Sequence, residues 1–370
     1  MIRKNPGIGN QKSLHRPPPV FTNEIREAWQ SIRRDQTVYR NPYFAPEFFE
    51  ALIASGMTAE LAVQREHGEI VGLLPFQRHS RTSVAIPAGG GLNDCHGPIM
   101  VGGKRFDWNR AFRENQFQSY QFHACPKSLP EFENRTEVIP SFLADLNNHD
   151  AASYEEFLSR QHRTIARQGQ KDRRLERELG PLRLEFDCRD QLLLQKLMDW
   201  KSAQYRRTYI TDIFSSPWVR KLLFQLHARR TNHFRGLLSV LFAGQVPVGI
   251  HFGILTEGSL HYWYPTYDPK FKHGSPGTRL FLEIANQSPA HGISTIDFGY
   301  GDLPYKHTLT NQRSQFASGI ITNSTTHRLR YHSRRLGKNL AKRMWFKEHL
   351  KPLVRQVFPS SDRQLFTSGD

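Results

Sequence analysis

The chain has 370 residues, enough for two ordinary domains or one large one, and its 38% apolar content with 25 phenylalanines excludes a wholly disordered polymer. No apolar run is long enough to span a bilayer, and the basic opening MIRKNPGIGNQKSLHRPPPV has no apolar stretch behind it, which excludes a secretory signal. The three cysteines, Cys95, Cys125 and Cys188, form no CxxC pair; this sparse, odd count fits a reducing cytoplasm and excludes a disulfide framework or a zinc site.

Residues 1–20 read as a flexible basic arm. A Thr22 cap followed by EIREAWQSIRR reads as a helix, and PEFFEALIAS (46–55) as a second, with proline in its first turn and Gly56 ending it. ELAVQREHGEIVGLLPFQ then carries two apolar runs around a His-Gly turn, the pattern of a hairpin. AIPAGGGLNDCHGP reads as a glycine-rich loop and QSYQFHA as a strand. From Ser153, SYEEFLSRQHRTIARQGQKDRRLEREL predicts one long polar helix stopped by Gly180-Pro181. LRLEFD is a strand by alternation; DQLLLQKLMDWKSAQYRR and SSPWVRKLLFQLHARR are helices. LLSVLFAG, QVPVGIHFGIL and SLHYWYPTY are successive strands, PGTRLFLEIANQ a helix, and STIDFGY a strand. Val63 and Gly72 flank one turn and Val240 and Gly249 another at the same spacing, as two copies of one α/β unit built around a hairpin would leave.

The net charge of +17 is unevenly placed. Arg328 to Arg355 holds ten Lys/Arg against one Glu, and Arg160 to Arg177 seven against Asp172 and Glu176. Basic segments attract nucleic acid, anionic lipid or a polyphosphorylated cofactor, and they also serve as solvated helix faces. In the C-terminal segment Leu336, Leu340 and Met344 recur at helical spacing on an otherwise cationic helix.

The Asp297-Phe298-Gly299 triplet spells a kinase motif, but no glycine-rich phosphate loop, strand lysine or HRD-type loop precedes it. It is therefore read as a strand end. The stretch from His261 to Gln287 is more informative: an aromatic strand, a loop with Lys270, Lys272, His273 and glycines, then a helix opening at Pro276-Gly277-Thr278. Free N–H groups at a helix start bind phosphate oxygens, glycines let the backbone approach and lysines add charge. This predicts that His273, Gly274, Ser275, Gly277 and Thr278 hold a pyrophosphate, although an ordinary strand–helix connection has the same outline. His251 on a central strand is a second candidate base or a packed residue. Asp94-Cys95-His96 has the composition of a nucleophile pair, but adjacent residues rarely align for proton transfer.

YDPKFKHGSPGTRLFLEIANQSPAHGISTIDFGYGDLPYKHTLT resembles the bacterial acetyltransferase family labelled CelD/BcsL, a branch of the GNAT superfamily linked by name to cellulose and exopolysaccharide synthesis. NPYFAPEF and IVGLLPFQR resemble that family's N-terminal half, so the likeness runs from about residue 25 to 325. It implies two GNAT-like units in tandem, with mixed central sheets flanked by helices (α/β, or α+β), as in the Fem aminoacyltransferases. The implied boundaries are 21–150 for an N-terminal unit, 151–325 for a C-terminal catalytic unit and 326–370 for a basic helical tail. The implied activity is acyl transfer from acetyl-CoA or another acyl-CoA, with no metal, to an amine or hydroxyl of a sugar or cell-envelope precursor. Asp268 would then be base or acceptor anchor. Tyr305 would protonate the thiolate, and Lys306 would neutralise the oxyanion or bind an acceptor phosphate. Gly274-Ser275-Pro276-Gly277 departs from the usual GNAT phosphate loop, and Pro276 removes a donor. Two other classes fit as well: a Fem-like transferase using aminoacyl-tRNA, and a non-catalytic module of a polysaccharide export complex. In all three the expected setting is cytoplasmic, with the basic tail contacting anionic membrane or tRNA.

Overall fold

The computed structural model describes residues 21–78 and 83–345, with side chains described to residue 336. The N-terminal arm, the end of the basic tail and the Leu340 and Met344 side chains lie outside the described residues. Strands β1 (Glu60–Glu66), β2 (Glu69–Arg78), β3 (Val84–Pro87), β4 (Ile99–Met100), β5 (Ser119–Pro126), β6 (Val138–Asp145), β7 (Leu182–Glu185), β8 (Arg235–Ala243), β9 (Val246–Thr256), β10 (Ser259–Tyr267), β11 (Thr295–Tyr300) and β12 (Gln312–Thr322) join one mixed sheet. Their order is β1-β2-β3-β5-β12-β6-β11-β10-β9-β8-β7, with β4 paired to β2.

The sheet contains one pattern twice. β1/β2 and β2/β3 are antiparallel and β3/β5 parallel; β8/β9 and β9/β10 are antiparallel and β10/β11 parallel. The echo seen in the sequence falls on equivalent register positions. Val63 faces Leu73 and Gln64 faces Gly72 in the first hairpin; Val240 faces Ile250 and Leu241 faces Gly249 in the second; each ladder slips at the next residue. The halves are stitched by β6 and β12. β6 follows β5 in sequence but pairs with β11, and β12 follows β11 but pairs with β5. β6 and β12 then pair with each other, closing the seam.

Helices cover both faces: α1 (Asn23–Arg34), α2 (Pro46–Ala54), α3 (Trp108–Glu114), α4 (Tyr154–Gln161), α5 (Arg163–Ala166), α6 (Gln168–Leu179), α7 (Gln191–Arg207), α8 (Pro217–Ala228), α9 (Pro276–Gln287), α10 (Pro304–Leu309) and α11 (Thr325–Trp345). One apolar core runs from the N-terminal half under α7 and α8; a second lies beneath α4, α5, α6 and α9 on the other face of the C-terminal sheet. Glu50 of α2 pairs with Arg229 after α8 at 2.5 Å, and Arg33 of α1 with Glu257 in the β9–β10 turn at 2.8 Å, so the halves are also tied by charge.

Two local readings are corrected. The polar stretch from Ser153 is three helices, because the backbone extends at His162 and turns at Arg167 to bring Leu158, Ile165 and Leu175 onto one core. No single apolar stripe at helical spacing does that. Residues 85–87, which the sequence suggests are loop, lie in β3 and pair with β2 and β5. Tyr305-Lys306 lies in the short helix α10. The first turns of α11 dock on the sheet: His327 bonds Ser119 Oγ at 2.6 Å, and Arg328 donates to the Thr322 carbonyl at 3.2 Å.

The functional region begins where β10 and β11 separate. They pair only from Ser259/Thr295 to His261/Asp297, then diverge. β10 also loses register with β9 between His261 and Tyr264, and β11 with β6 between Asp297 and Tyr300. Tyr262 and Trp263 are thus bulged at the head of a wedge. Gly253 of β9 lies opposite, where a Cβ would fall 2.3 Å from the His261 carbonyl oxygen and 2.8 Å from the His251 ring. Gly253→Ala should therefore cost about 1–3 kcal/mol, read as a lowered urea midpoint with unchanged m-value.

Candidate active site

At the wedge, β11 delivers Asp297 and Gly299 to one face and Phe298 to the core on the other. Asp297 is buried: its Oδ1 accepts the Gly299 N–H at 2.7 Å and its Oδ2 accepts Asn41 Nδ2 at 2.7 Å. His261, also buried, brings Nδ1 to 3.4 Å from Asp297 Oδ2 and Nε2 to 3.3 Å from Asp94 Oδ2. Both are ion-pair separations, and neither ring nitrogen makes a directed hydrogen bond. Gly299 has φ +68°, and a Cβ there would lie 3.1 Å from His261 Cε1 and 3.2 Å from Asp94 Oδ2. The triplet Asp-Phe-Gly thus has a physical meaning: a buried anion, a core anchor, and a residue that only glycine can be.

Asp94 comes from the other half. After β3, residues 88–98 fold back along β5: His96 N–H donates to the Ala124 carbonyl at 3.0 Å, and His96 Nε2 accepts the His123 and Ala124 N–H groups at 3.2 and 3.3 Å. That pattern assigns the Nδ1–H to the Asn93 carbonyl, 3.2 Å away. Asn93 pins the loop further, donating to the Ala88 carbonyl and accepting the Cys95 N–H. The loop therefore occupies the space where β3 and β5 separate, the equivalent in the first half of the β10/β11 wedge, and projects Asp94 into the second. Burial, then His123, hold the His96 pKa well below 6.5, and burial pushes the Cys95 thiol well above 9. Cys95 and His96 are structural, and only Asp94 of that triplet faces the site.

The Asp94 carboxylate is the exposed end of the relay, its side chain 25% accessible against 1% for His261. Tyr43, Tyr205, Tyr264, Tyr300 and Tyr305 all lie within its electrostatic reach. Burial, with Asp94 adding to it, raises Tyr300 and Tyr305 to about 12, so both phenols stay protonated at neutral pH. Trp263 adds another aromatic face, its ring 5.7 Å from Tyr43 and 4.6 Å from Tyr264.

The residues singled out from sequence divide. Tyr305, 44% exposed, stands at the wedge 6.2 Å from the Phe298 ring. Lys306 is buried and donates to the Gly299 and Tyr300 carbonyls at 3.1 and 2.8 Å; burial lowers its pKa, and the neighbouring Asp94, Asp297 and Asp302 partly offset that. Its ammonium thus ties down the end of β11. Asp268 accepts the Lys270 N–H at 3.0 Å and caps the turn after β10. His273 pairs with Glu178 at 2.9 Å. Gly274 is packed on Leu175, and Ser275, at φ +49°, accepts Lys171 Nζ at 2.8 Å as the cap of α9. Gly277 lies under the Tyr267 ring, and the Thr278 N–H donates to the Ser275 carbonyl. Lys171, from the basic stretch around Arg167, therefore stands at the α9 N-terminus. His251 is buried against Tyr262, with neither ring nitrogen hydrogen-bonded; burial, then His261, drive its pKa far below 6.5. Sequence reasoning missed Asp94 as a lone acid, His261 and Asn41; the one available signal was an Asn-Asp pair in a glycine-rich loop.

Residues 160–307 match the family model described as an acetyltransferase (GNAT) domain. The C-terminal half carries a GNAT-type acetyltransferase domain. Among solved structures, FemX aligns at 10% identity over 74% of this chain and 90% of its own, with a TM-score of 0.50, a likeness of fold alone. The C-terminal domain of an Agrobacterium fabrum protein named as a lysylphosphatidylglycerol synthetase aligns at 12% identity over 84% and 95% of the two chains, TM-score 0.49. A tandem GNAT protein of the clavulanic acid pathway aligns at 10% identity over 74% and 88%, TM-score 0.41. No curated protein matches the sequence. Among the described residues, no helix is long and apolar enough to cross a membrane.

The pairing of His261 has a pH signature. Burial alone would lower its pKa, but Asp297 and Asp94 overcome that and raise it to about 9 from 6.5; Asp297, which burial would raise, is drawn below 3.8 by His261. The histidine's contribution is complete below pH 6.5 and fades as pH rises through about 9; the aspartate's is complete above 3.8 and is lost in acid. Unfolding free energy in urea should therefore fall by about 3 kcal/mol at most between pH 6.5 and 9.5, and His261→Gln should flatten that slope. Gly299→Ala should disturb the same cluster: left-handed strain adds about 1–2 kcal/mol, and the displaced Asp94 should lower any turnover.

Proposed function

We propose that the protein is an acyl-CoA-dependent transferase that moves an acetyl or other acyl group onto an amine of a sugar or cell-envelope precursor. One observation carries this reading: the loop that fills the first wedge places a solvent-reaching carboxylate, Asp94, over the open second wedge of the GNAT-type domain. A carboxylate ringed by Tyr43, Trp263, Tyr264 and Tyr205 suits a protonated amine better than a hydroxyl, because a cation gains from both the charge and the aromatic faces. The resemblance to the CelD/BcsL family supports the envelope or exopolysaccharide setting.

In this reading the acyl-CoA phosphates lie against the α9 N-terminus, with Ser275, Gly277, Thr278 and Lys171 nearest, and the thioester lies in the wedge beside the bulged Tyr262-Trp263 backbone. Asp94 removes a proton from the acceptor ammonium, and His261 holds that carboxylate in place while Asp297, itself held by Asn41, holds His261. The amine nitrogen bonds to the thioester carbon, the carbon–sulfur bond breaks, and the thiolate takes a proton from Tyr305, which regains one from the product nitrogen through solvent. Lys306 acts through the β11 carbonyls as a positioning residue for the wedge.

Asp94→Asn should lower kcat by about 100-fold or more while leaving acetyl-CoA affinity within a few-fold, because its task arises in the chemical step. Full turnover by that variant would remove Asp94 from the reaction. Gly277→Glu should abolish stabilisation by acetyl-CoA in a thermal melt without lowering the melting temperature of the free protein by more than a few degrees. Calorimetry with aminoacyl-tRNA in place of acetyl-CoA tests the Fem-like alternative: binding there, and none to acetyl-CoA, would replace the acyl-CoA reading.

A further inference from the structure

A cavity of about 450 Å³ lies on the sheet face that carries Asp297, over the seam formed by β10, β11, β6 and β12, and within the size range of small-molecule sites. It is separate from the Asp94 carboxylate: Asp297 and Asn41 form its wall, and neither His261 nor Asp94 lines it. Its chemistry is unusual for a gap between packed elements. Ser141 on β6 is 1% exposed, lines the cavity, and its hydroxyl has no hydrogen-bond partner. A buried hydroxyl left unpaired is destabilising, so an occupant that bonds it removes a standing penalty. Ser259 and Ser314 present further hydroxyls from neighbouring strands.

Charge narrows the occupant. Arg40 and Lys127 line the cavity, and neither side chain has an ion pair among the described residues. The facing acid is Asp297, whose oxygens are already committed to Gly299, Asn41 and His261. The cavity therefore holds excess positive charge beside a ring of hydroxyls that can each donate and accept. We infer that it is a binding site for a small anionic polyol, of the size and chemistry of a hexose phosphate. The phosphate would pair with Arg40 and Lys127, and the sugar hydroxyls would meet Ser141 and its neighbours. This inference does not depend on acyl transfer, since its readout is binding.

The test is calorimetry and thermal melting of the full chain with glucose 6-phosphate, glucose 1-phosphate and glucosamine 6-phosphate, with glucose and inorganic phosphate as reference ligands. At least one hexose phosphate should bind more tightly than either reference. Lys127→Gln should weaken that binding by about 10-fold or more, and Ser141→Ala, which leaves the free protein as stable or more so, by about 3- to 10-fold. Asp94→Asn should leave it unchanged. Three outcomes would overturn the inference. These are no binding by any of the three up to about 10 mM, inorganic phosphate binding as tightly as the sugar phosphates, or affinity lost in Asp94→Asn but kept in Lys127→Gln.

Discussion

The site depends on one buried histidine held between carboxylates from the two halves of the chain. His261 would be neutral if burial acted alone; Asp297 beneath it and Asp94 above it keep it an imidazolium, and it in turn lets Asp297 stay ionised without water. Removing His261 would leave Asp297 charged in a dry interior, a cost of about 3–5 kcal/mol by analogy with other buried pairs. The halves therefore cannot separate without exposing or neutralising this group. Asn41 reinforces it from the N-terminal half, and Lys306 secures the strand end that carries Asp297.

The two halves share a strand pattern but differ in use. In each, parallel strands pair briefly and then part, and parting strands leave backbone groups unpaired that something must satisfy. In the first half the chain satisfies them itself: the loop carrying His96 runs into the gap and bonds β5. In the second half no such loop follows, because α9 and the β11 strand come directly after β10. One wedge is closed by its own sequence, the other stays open, and the closing loop supplies the open wedge with its acid. The exchange of β6 and β12 fixes the distance between them, since each half's last strand completes the other's sheet.

Much of the fold was legible in the sequence. Apolar runs with turn residues between them marked β1/β2 and β8 to β10, and the Val and Gly echo marked the duplication at register positions that are equivalent in the structure. The strands that were not read, β3, β4, β6 and β12, are short, polar or proline-containing: SFLAD and QRSQFASG have little alternation of their own. Their identity comes from the partners they bond, which local periodicity cannot report.

By itself the sequence determined local chemistry: which segments alternate, where helices start, that residues 269–278 are basic and glycine-bearing, and that β11 ends on Asp-Phe-Gly. It also singled out Tyr305, which stands at the wedge. Tertiary structure decided which of these residues share a space. Asp94 and Asp297 are some two hundred positions apart, and no spacing rule connects them; they meet because Gly299 leaves room and because a histidine's charge between them lowers the energy of all three groups. The same packing makes Lys306 a tie on backbone carbonyls. A side chain's type fixes what it can do, whereas its burial and its neighbours' charges, set only when distant segments pack, fix what it does.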